Sequence, residues 1–392
     1  MRFVLLHYHI LKNAGMTVEH MLHENFGHRF CTFDTNDRDG CVSSRALLSL
    51  LSSNPELTAI SSHQIHYPLP AITGFIFFDL CFLRDPIDRI RSTYDYFRKK
   101  PAPGDPVSEI ASSLPMGDFI ERLIDEMPWY VNNVQVNLLA NGIVNDPPSE
   151  CDLHRATDRM LQTSFLGVVD LLAPSLAVGQ HFLRTVFPAL DCAESVVNVS
   201  GSGGSTLQER MATVESACSA RVYRELLRLN AFDFQLLESA RAEVLRRHRL
   251  VWEEQDRAAV IPRKAESTPI GGPHASGSEM DEIASGYQAV ARVCVQDVDV
   301  LVFFVEPNLH METTPEQRLG RYQALQTAAR NAGLTGAIVV VWKDDVGRTR
   351  FIAPAEQHPF FRIMNYDQLY AQIDKGTSIR VQYKLGSDSG SV

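Results

Sequence analysis

The stretch HYHILKNAGMTVEHML, His7 to Leu22, follows the apolar run Phe3–Leu6. A strand-like segment hands over here to a helix-like one, in which Val18, Met21, Leu22 and Phe26 recur at helical spacing. Gly27 is placed to stop that helix. Lys12, Asn13, Ala14, Gly15, Met16 and Thr17 lie between the two. A lysine, a glycine and a hydroxyl at a strand-to-helix turn suit an anion. Free N–H groups and the helix dipole favour negative charge at a helix start. Gly15 lets the backbone come close, Lys12 supplies a mobile charge and Thr17 a hydroxyl donor. This is not a Walker A loop, because Lys12 precedes the glycine instead of following it. An acidic strand end that could hold Mg²⁺ is also lacking.

Outward from this turn, strand-like and helix-like segments alternate. Phe3–Leu11, Leu57–Ser61 and Gly74–Leu83 read as strands, and Val42–Leu51 and Ile87–Arg98 as helices. Pro86 stands where proline is tolerated, at a helix start. Such alternation predicts an α/β fold with a mainly parallel, P-loop-like sheet flanked by helices. Met116–Phe234 reads as mostly helical, with short strands or loops at Leu166–Asp170 and Ser195–Ser200. Arg257–Gly286 is rich in Pro, Gly, Ser and charge and reads as a linker. The predicted organisation is a domain over residues 1–250, a linker over 251–286 and a small α+β domain over 287–385. That last domain is predicted to hold one or two strands in Val293–Pro307, a helix over Pro315–Gly333, a hairpin around Gly347 and a last helix over Met364–Gly376. The sequence assigns it no chemistry. Binding a partner, shaping the acceptor site or forming a homodimer are the open roles.

Net charge is −10 over 392 residues. An acidic chain is a poor general binder of nucleic acid, although a local basic groove stays open. The seven cysteines are scattered and form no C-x-x-C, which fits reduced thiols better than a disulfide frame or a zinc site. No segment approaches ~18 uninterrupted apolar residues, so no integral membrane segment is expected. The first eleven residues read as a strand and not as a signal peptide.

In an open parallel sheet, ligands bind at the carboxyl ends of the strands. Those ends deliver Lys12 from the first strand, His63 and His66 after the second, and Arg84 with Ser92 beyond the third. Here a resemblance enters. HILKNAGMT resembles the loop HIPK-(T/N)-(G/A)-G-T-(T/S) of sulfotransferases related to the heparan and chondroitin sulfate enzymes. FLRDPIDRIRSTYDYF resembles their FLRDP-x-x-R-x-x-S-x-Y motif. Weaker echoes follow in order at Asn133–Asn141, Phe165–Leu176 and Leu229–Arg241, so the likeness covers roughly residues 1–250. Leu11 stands where proline is usual and Met16 where Thr or Ser is usual, which leaves the hydroxyl contact to Thr17.

The resemblance implies a sulfotransferase fold and 3′-phosphoadenosine 5′-phosphosulfate (PAPS) as cofactor. It places the 5′-phosphosulfate on Lys12, Asn13, Ala14, Gly15, Met16 and Thr17, and the 3′-phosphate on Arg84 and Ser92. An Arg fork with a hydroxyl suits a phosphate dianion. The implied reaction moves a sulfuryl group to a hydroxyl of a carbohydrate, lipid or small molecule. Lys12 and His63 are the catalytic candidates: Lys12 beside the departing oxygen, His63 as general base, with His66 as runner-up. His7 and His9 read as packing or hydrogen-bonded support, Arg89 as an ion pair with Asp85 or Asp88, and Tyr94 and Tyr96 as core, with stacking on adenine as the alternative. The Gly/Ser run Asn198–Ser205 reads as a loop that could close on a nucleotide, and Arg246–Arg249 as a solvated helix end. A bacterial, cytoplasmic enzyme with a weakly charged acceptor is the expectation. The alternatives are a nucleotide-dependent phosphotransferase on the same fold and a non-catalytic nucleotide-binding scaffold.

Overall fold

The computed structural model describes residues 1–35, 41–66, 68–141, 146–192, 205–260, 283–295, 298–305, 315–344, 347–354 and 357–384. The chain divides into two compact units, Arg2–His248 and, from Arg249, the residues to Phe361 and from Asn365 onward. All seven cysteines are free. Among the described residues, no helix is long and apolar enough to cross a membrane.

The first unit is built on five parallel strands, β1 (Arg2–Tyr8), β2 (Phe30–Thr32), β3 (Ala59–Ser62), β4 (Phe75–Leu83) and β5 (Phe165–Val168), in the order β2-β3-β1-β4-β5. The chain passes from β1 to one edge, returns through β3, and then builds β4 and β5 on the other side of β1. Such a reversal opens a crevice at the carboxyl ends of the strands. Register aligns those ends, since Tyr8 pairs with Ser62 on β3 and with Cys81 on β4. β4 is apolar on both faces because helices cover both. β1 stops three residues before the predicted Leu11, where the chain turns and Asn13 N–H bonds the Ile10 carbonyl. β2 escaped the sequence reading, as three residues carry no period.

The helices of this unit are α1 (Gly15–Phe26), α2 (Ser44–Ser53), α3 (Pro86–Lys99), α4 (Pro106–Ser113), α5 (Met116–Glu126), α6 (Val134–Ala140), α7 (Glu150–Gln162), α8 (Leu172–Leu183), α9 (Leu207–Ala217), α10 (Ala220–Leu229) and α11 (Ala231–Val260). Asp85 caps α3 by accepting from the N–H groups of Ile87 and Asp88, and Pro86 sits at its first position. α6 and α11 cap each other. Asp233 accepts from the N–H groups of Gln135 and Val136, and Asn133 Oδ1 accepts from those of Phe232 and Asp233.

Several expectations change. α11 runs on to Val260, so no linker begins at 251; Arg247 is buried within it, donating to the carbonyls of Leu161 and Thr163. Within Arg246–Arg249, Arg247 is therefore a brace inside a continuing helix, while Arg246 and Arg249 are exposed. Residues 261–282 of the predicted linker lie outside the described residues, as do Ser195–Ser200 and most of the Gly/Ser run Asn198–Ser205.

The second unit carries a mixed sheet of β6 (Ile283–Val295), β7 (Val298–Phe304), β8 (Ala337–Lys343), β9 (Thr349–Ile352) and β10 (Ile373–Lys384), in the order β10-β6-β7-β8-β9. The helix Pro315–Asn331 joins the parallel pair β7 and β8, packing Leu325 and Ala329 on Leu301 and Phe303. The hairpin at Gly347 is present. The predicted last helix is only Tyr366–Tyr370, because β10 takes the following residues to pair with β6.

Arg89 also departs from expectation. Its guanidinium is buried and donates to the Tyr130 carbonyl, and the carboxylate supporting its charge is Asp233, not Asp85 or Asp88. Burial pulls its pKa down to about 10. Asp233→Ala would leave that charge uncompensated and uncap α6. The expected loss is about 3–5 kcal/mol of unfolding free energy in a denaturant titration; a loss under ~1 kcal/mol would refute the role given to Asp233.

Candidate active site

At the carboxyl ends of β1, β3 and β4 lies a cavity of about 570 Å³. Lys12, His63, Arg84 and Ser92 line it together. The loop contributes Ala14, Gly15, Met16 and Thr17 as well. The size suits a nucleotide-sized ligand. His66 is not on this cavity. It lines a small cleft that shares His9 and His63 with the cavity, and it bonds Asn141, while burial holds its pKa below the ordinary histidine value.

The loop has an unusual backbone. Lys12 and Ala14 both adopt the left-handed conformation, with φ of 66° and 63°. Ala14 caps α1 without a side-chain hydrogen bond, so the first N–H groups of the helix face an end with no side-chain acceptor. Two side chains hold the loop down. Asn13, expected to touch a cofactor, is buried instead: its amide donates to the Phe82 carbonyl at 2.8 Å and to Gln135 Oε1 at 2.7 Å. Arg84 donates from one terminal nitrogen to the Lys12 carbonyl at 2.8 Å. Gly15 has a role the sequence did not show. A Cβ there would sit 1.8 Å from Nε2 of His9, so only glycine leaves room for that ring.

Arg84 is also paired with Asp88, through Nε at 2.9 Å and the other terminal nitrogen at 2.7 Å. A guanidinium has five N–H donors; these contacts use three and leave two for a ligand. Asp88 carries more than Arg84. Arg210 of α9 reaches it at 2.8 Å and Arg91 at 3.6 Å. Burial raises the Asp88 pKa, but Arg84 and Arg210 outweigh it and hold the carboxyl below its usual range.

The rest of the lining is basic. Lys99, Lys100 and Arg91 face the cavity, opposed by Asp95. Tyr96, expected in the core, also lines it, and Lys12 Nζ sits 4.0 Å from its ring centroid. Tyr94 does pack in the core against Phe119. Burial, then Arg84 and Lys100, pull the Lys12 pKa down to about 8. A cation held among cations is relieved by an anion.

His63 is exposed to the cavity. Its Nδ1 lies 2.7 Å from the His9 carbonyl, which can only accept, so Nδ1 carries the proton and Nε2 the lone pair. Its ring stacks on that of His9 at 3.9 Å between centroids. Desolvation against this neighbour lowers its pKa, and the charge of His9 lowers it further, while the His9 carbonyl, Asp34 and Glu19 pull it back. A neutral imidazole with a free Nε2 is poised to take a proton.

Sequence reading missed Glu19, on the helix that follows the loop, and Gln135, Asp233 and Arg210, which act from distant segments. The echoes at Asn133–Asn141 and Leu229–Arg241 covered Gln135 and Asp233, and Glu19 lies inside the stretch His7–Leu22, but nothing in those stretches showed their roles.

Lys12 is charged below about pH 8 and loses its proton above it. Sulfate keeps its charge through that range, so its affinity should fall as pH rises through 8, and Lys12→Gln should flatten the fall. Calorimetry with inorganic sulfate checks this; a pH-independent affinity would remove Lys12 from the site. No family model matches the chain. The chain is similar to an uncharacterized protein of Archaeoglobus fulgidus, 27% identical over 242 residues that cover 60% of this chain and 95% of the relative.

Proposed function

We propose that the first unit is a sulfotransferase with a PAPS-binding sulfotransferase fold, acting on a hydroxyl of a carbohydrate, lipid or small-molecule acceptor. The supporting observation is that Lys12, His63, Arg84 and Ser92 line one cavity. The residues fit a doubly anionic nucleotide. The start of α1 with Lys12 offers one anion site. Arg84 with its two remaining donors and Ser92 offer a second, one strand away.

When bound, PAPS supplies the sulfuryl group, its bond from sulfur to the phosphate oxygen breaking with the electron pair kept by the phosphate. His63 Nε2 takes the proton of the acceptor hydroxyl. Lys12 and the N–H groups of α1 hold negative charge at the loop. Arg84 and Ser92 orient the ligand at its other end, and positioning lowers the barrier. Asn13 serves by fixing the loop, not by contact.

Adenosine 3′,5′-bisphosphate should raise the melting temperature at concentrations where ATP does not, because ATP has no 3′-phosphate for Arg84 and Ser92. At a hundredfold excess over Kd the gain corresponds to about 2.7 kcal/mol. Equal stabilisation by ATP would favour a phosphotransferase. With ³⁵S-labelled PAPS and host extracts, label should pass to an acceptor. His63→Ala should cut that turnover by about 10²–10⁴-fold while bisphosphate still binds. Binding with no transfer to any extract would favour a non-catalytic scaffold.

A further inference from the structure

Behind His63 lies a closed set of polar side chains that the proposed reaction does not itself use. Glu19 on α1 faces the ends of β1 and β3. Its Oε1 is 2.8 Å from His9 Nδ1 and 2.8 Å from Ser61 Oγ. Ser61 Oγ is in turn 2.9 Å from Nδ1 of the buried His7. The three imidazoles form a stack, with 5.3 Å between the centroids of His7 and His9 and 3.9 Å between those of His9 and His63.

Proton positions follow from valence alone. A carboxylate only accepts, so His9 donates from Nδ1 and Ser61 donates its single hydroxyl proton to Glu19. Ser61 Oγ is then the acceptor for His7 Nδ1–H. His63 donates Nδ1–H to the His9 carbonyl. In its neutral form each of the three rings therefore carries its lone pair on Nε2. Burial raises the Glu19 pKa, but the bonds from His9 and Ser61 outweigh it and keep the carboxyl ionised.

We propose that Glu19 is a positioning residue for His63, acting through His9. Glu19 fixes the tautomer and rotation of the His9 ring. Gly15 leaves that ring its space. His9 then presents a flat face and a backbone carbonyl to His63, which set the plane of the base and aim Nε2 at the cavity. When His63 takes the acceptor's proton, the Glu19 carboxylate supports the new positive charge, and the proton later leaves to water. His7, Ser61 and Glu19 form the buried end of this arrangement and His63 the exposed end.

His7, His9 and Glu19 offer ligand atoms within 4.8 Å of one another, the spacing of a metal cluster. The Nδ1 atoms of His7 and His9 and the Glu19 carboxylate are instead taken up by hydrogen bonds inside the network. The geometry thus points to proton positioning over metal binding.

This inference rests on the sulfotransferase reading for the identity of the reaction, but its test does not. Histidine side-chain nitrogen-15 spectra of the full chain report tautomer and titration directly. The groups facing His63 are His7 from β1, His9 just after it, Asp34 beyond β2, Glu19 from α1 and Lys12 across the cavity. The expected result is Nδ1–H for His9 and His63, with His63 taking its proton at lower pH in Glu19→Gln, since that change removes a negative charge. Bisphosphate affinity should stay within about twofold, as Glu19 is not on the cavity, whereas kcat should fall by about 10–100-fold. The acid limb of kcat/KM should move to lower pH. Ser61→Ala should shift His63 by less, because the Glu19 charge stays and only its second donor is lost, and it decides the matter if Glu19→Gln does not fold. Unchanged His63 titration in both variants, an Nε2–H tautomer at His9, or micromolar Zn²⁺ binding that abolishes the Nδ1–H signals would overturn the proposal. If bisphosphate fails to bind at all, the sulfotransferase reading falls, while the spectra still decide the coupling.

Discussion

The site hangs on one buried amide. Gln135 accepts from the Asn13 side chain and from the Arg84 N–H, and donates to the Arg84 carbonyl. Its backbone N–H is held by Asp233 of α11. One side chain thus joins the loop after β1, the end of β4, α6 and α11. Any of these can shift only by leaving a buried polar group unpaired, at about 1–3 kcal/mol each. The distance between the loop and Arg84 is therefore set by the fold before any ligand arrives. That is preorganisation in a physical sense: the ordering cost falls on folding and not on binding.

The loop itself is held in a costly conformation. Two non-glycine residues in the left-handed region cost on the order of 1–3 kcal/mol each. Asn13, between them, is pinned to β4, and the Lys12 carbonyl is pinned by Arg84. The outcome of this strain is a helix start whose N–H groups open onto a cavity. The Arg84 side chain does two jobs at once, bracing the loop and retaining two donors for a ligand. The buried Asp88 makes this tolerable by neutralising part of a cluster of three arginines.

What the sequence displayed was the local part. Lys12, Gly15 and Thr17 sit at a strand-to-helix turn, and Arg84 and Ser92 follow one buried strand. Alternating elements were enough to predict the parallel sheet and to send these residues to one edge. The direction of single side chains was not legible. Asn13 looks like its neighbours in the sequence, but the turn aims it inward at Gln135, 122 residues away. Gly15 could be read only as a hinge for an anion, because the ring that needs its space, His9, comes from the strand before. Arg89 sits near two aspartates in the sequence and is supported by a third, Asp233, from a distant helix. Contacts of that range leave no periodic trace. The limits of α11 failed for another reason: a charged, polar stretch such as 253–257 looks like a linker in sequence whether or not it is helical.

Whole-chain charge proved the least informative quantity. A net charge of −10 argued for a weakly charged acceptor, yet the cavity is lined by Lys12, Arg84, Arg91, Lys99 and Lys100 with Asp95 as counterweight. Both facts hold, because Coulomb energy at a site is governed by groups within a few ångströms, and salt screens the rest beyond ~8–10 Å. The distant acidic surface slows the approach of an anion but cannot cancel what it meets inside. The Lys12 pKa is lowered first by burial and then by the same field, since the neighbouring cations Arg84 and Lys100 that penalise its charge are those that would reward an anion.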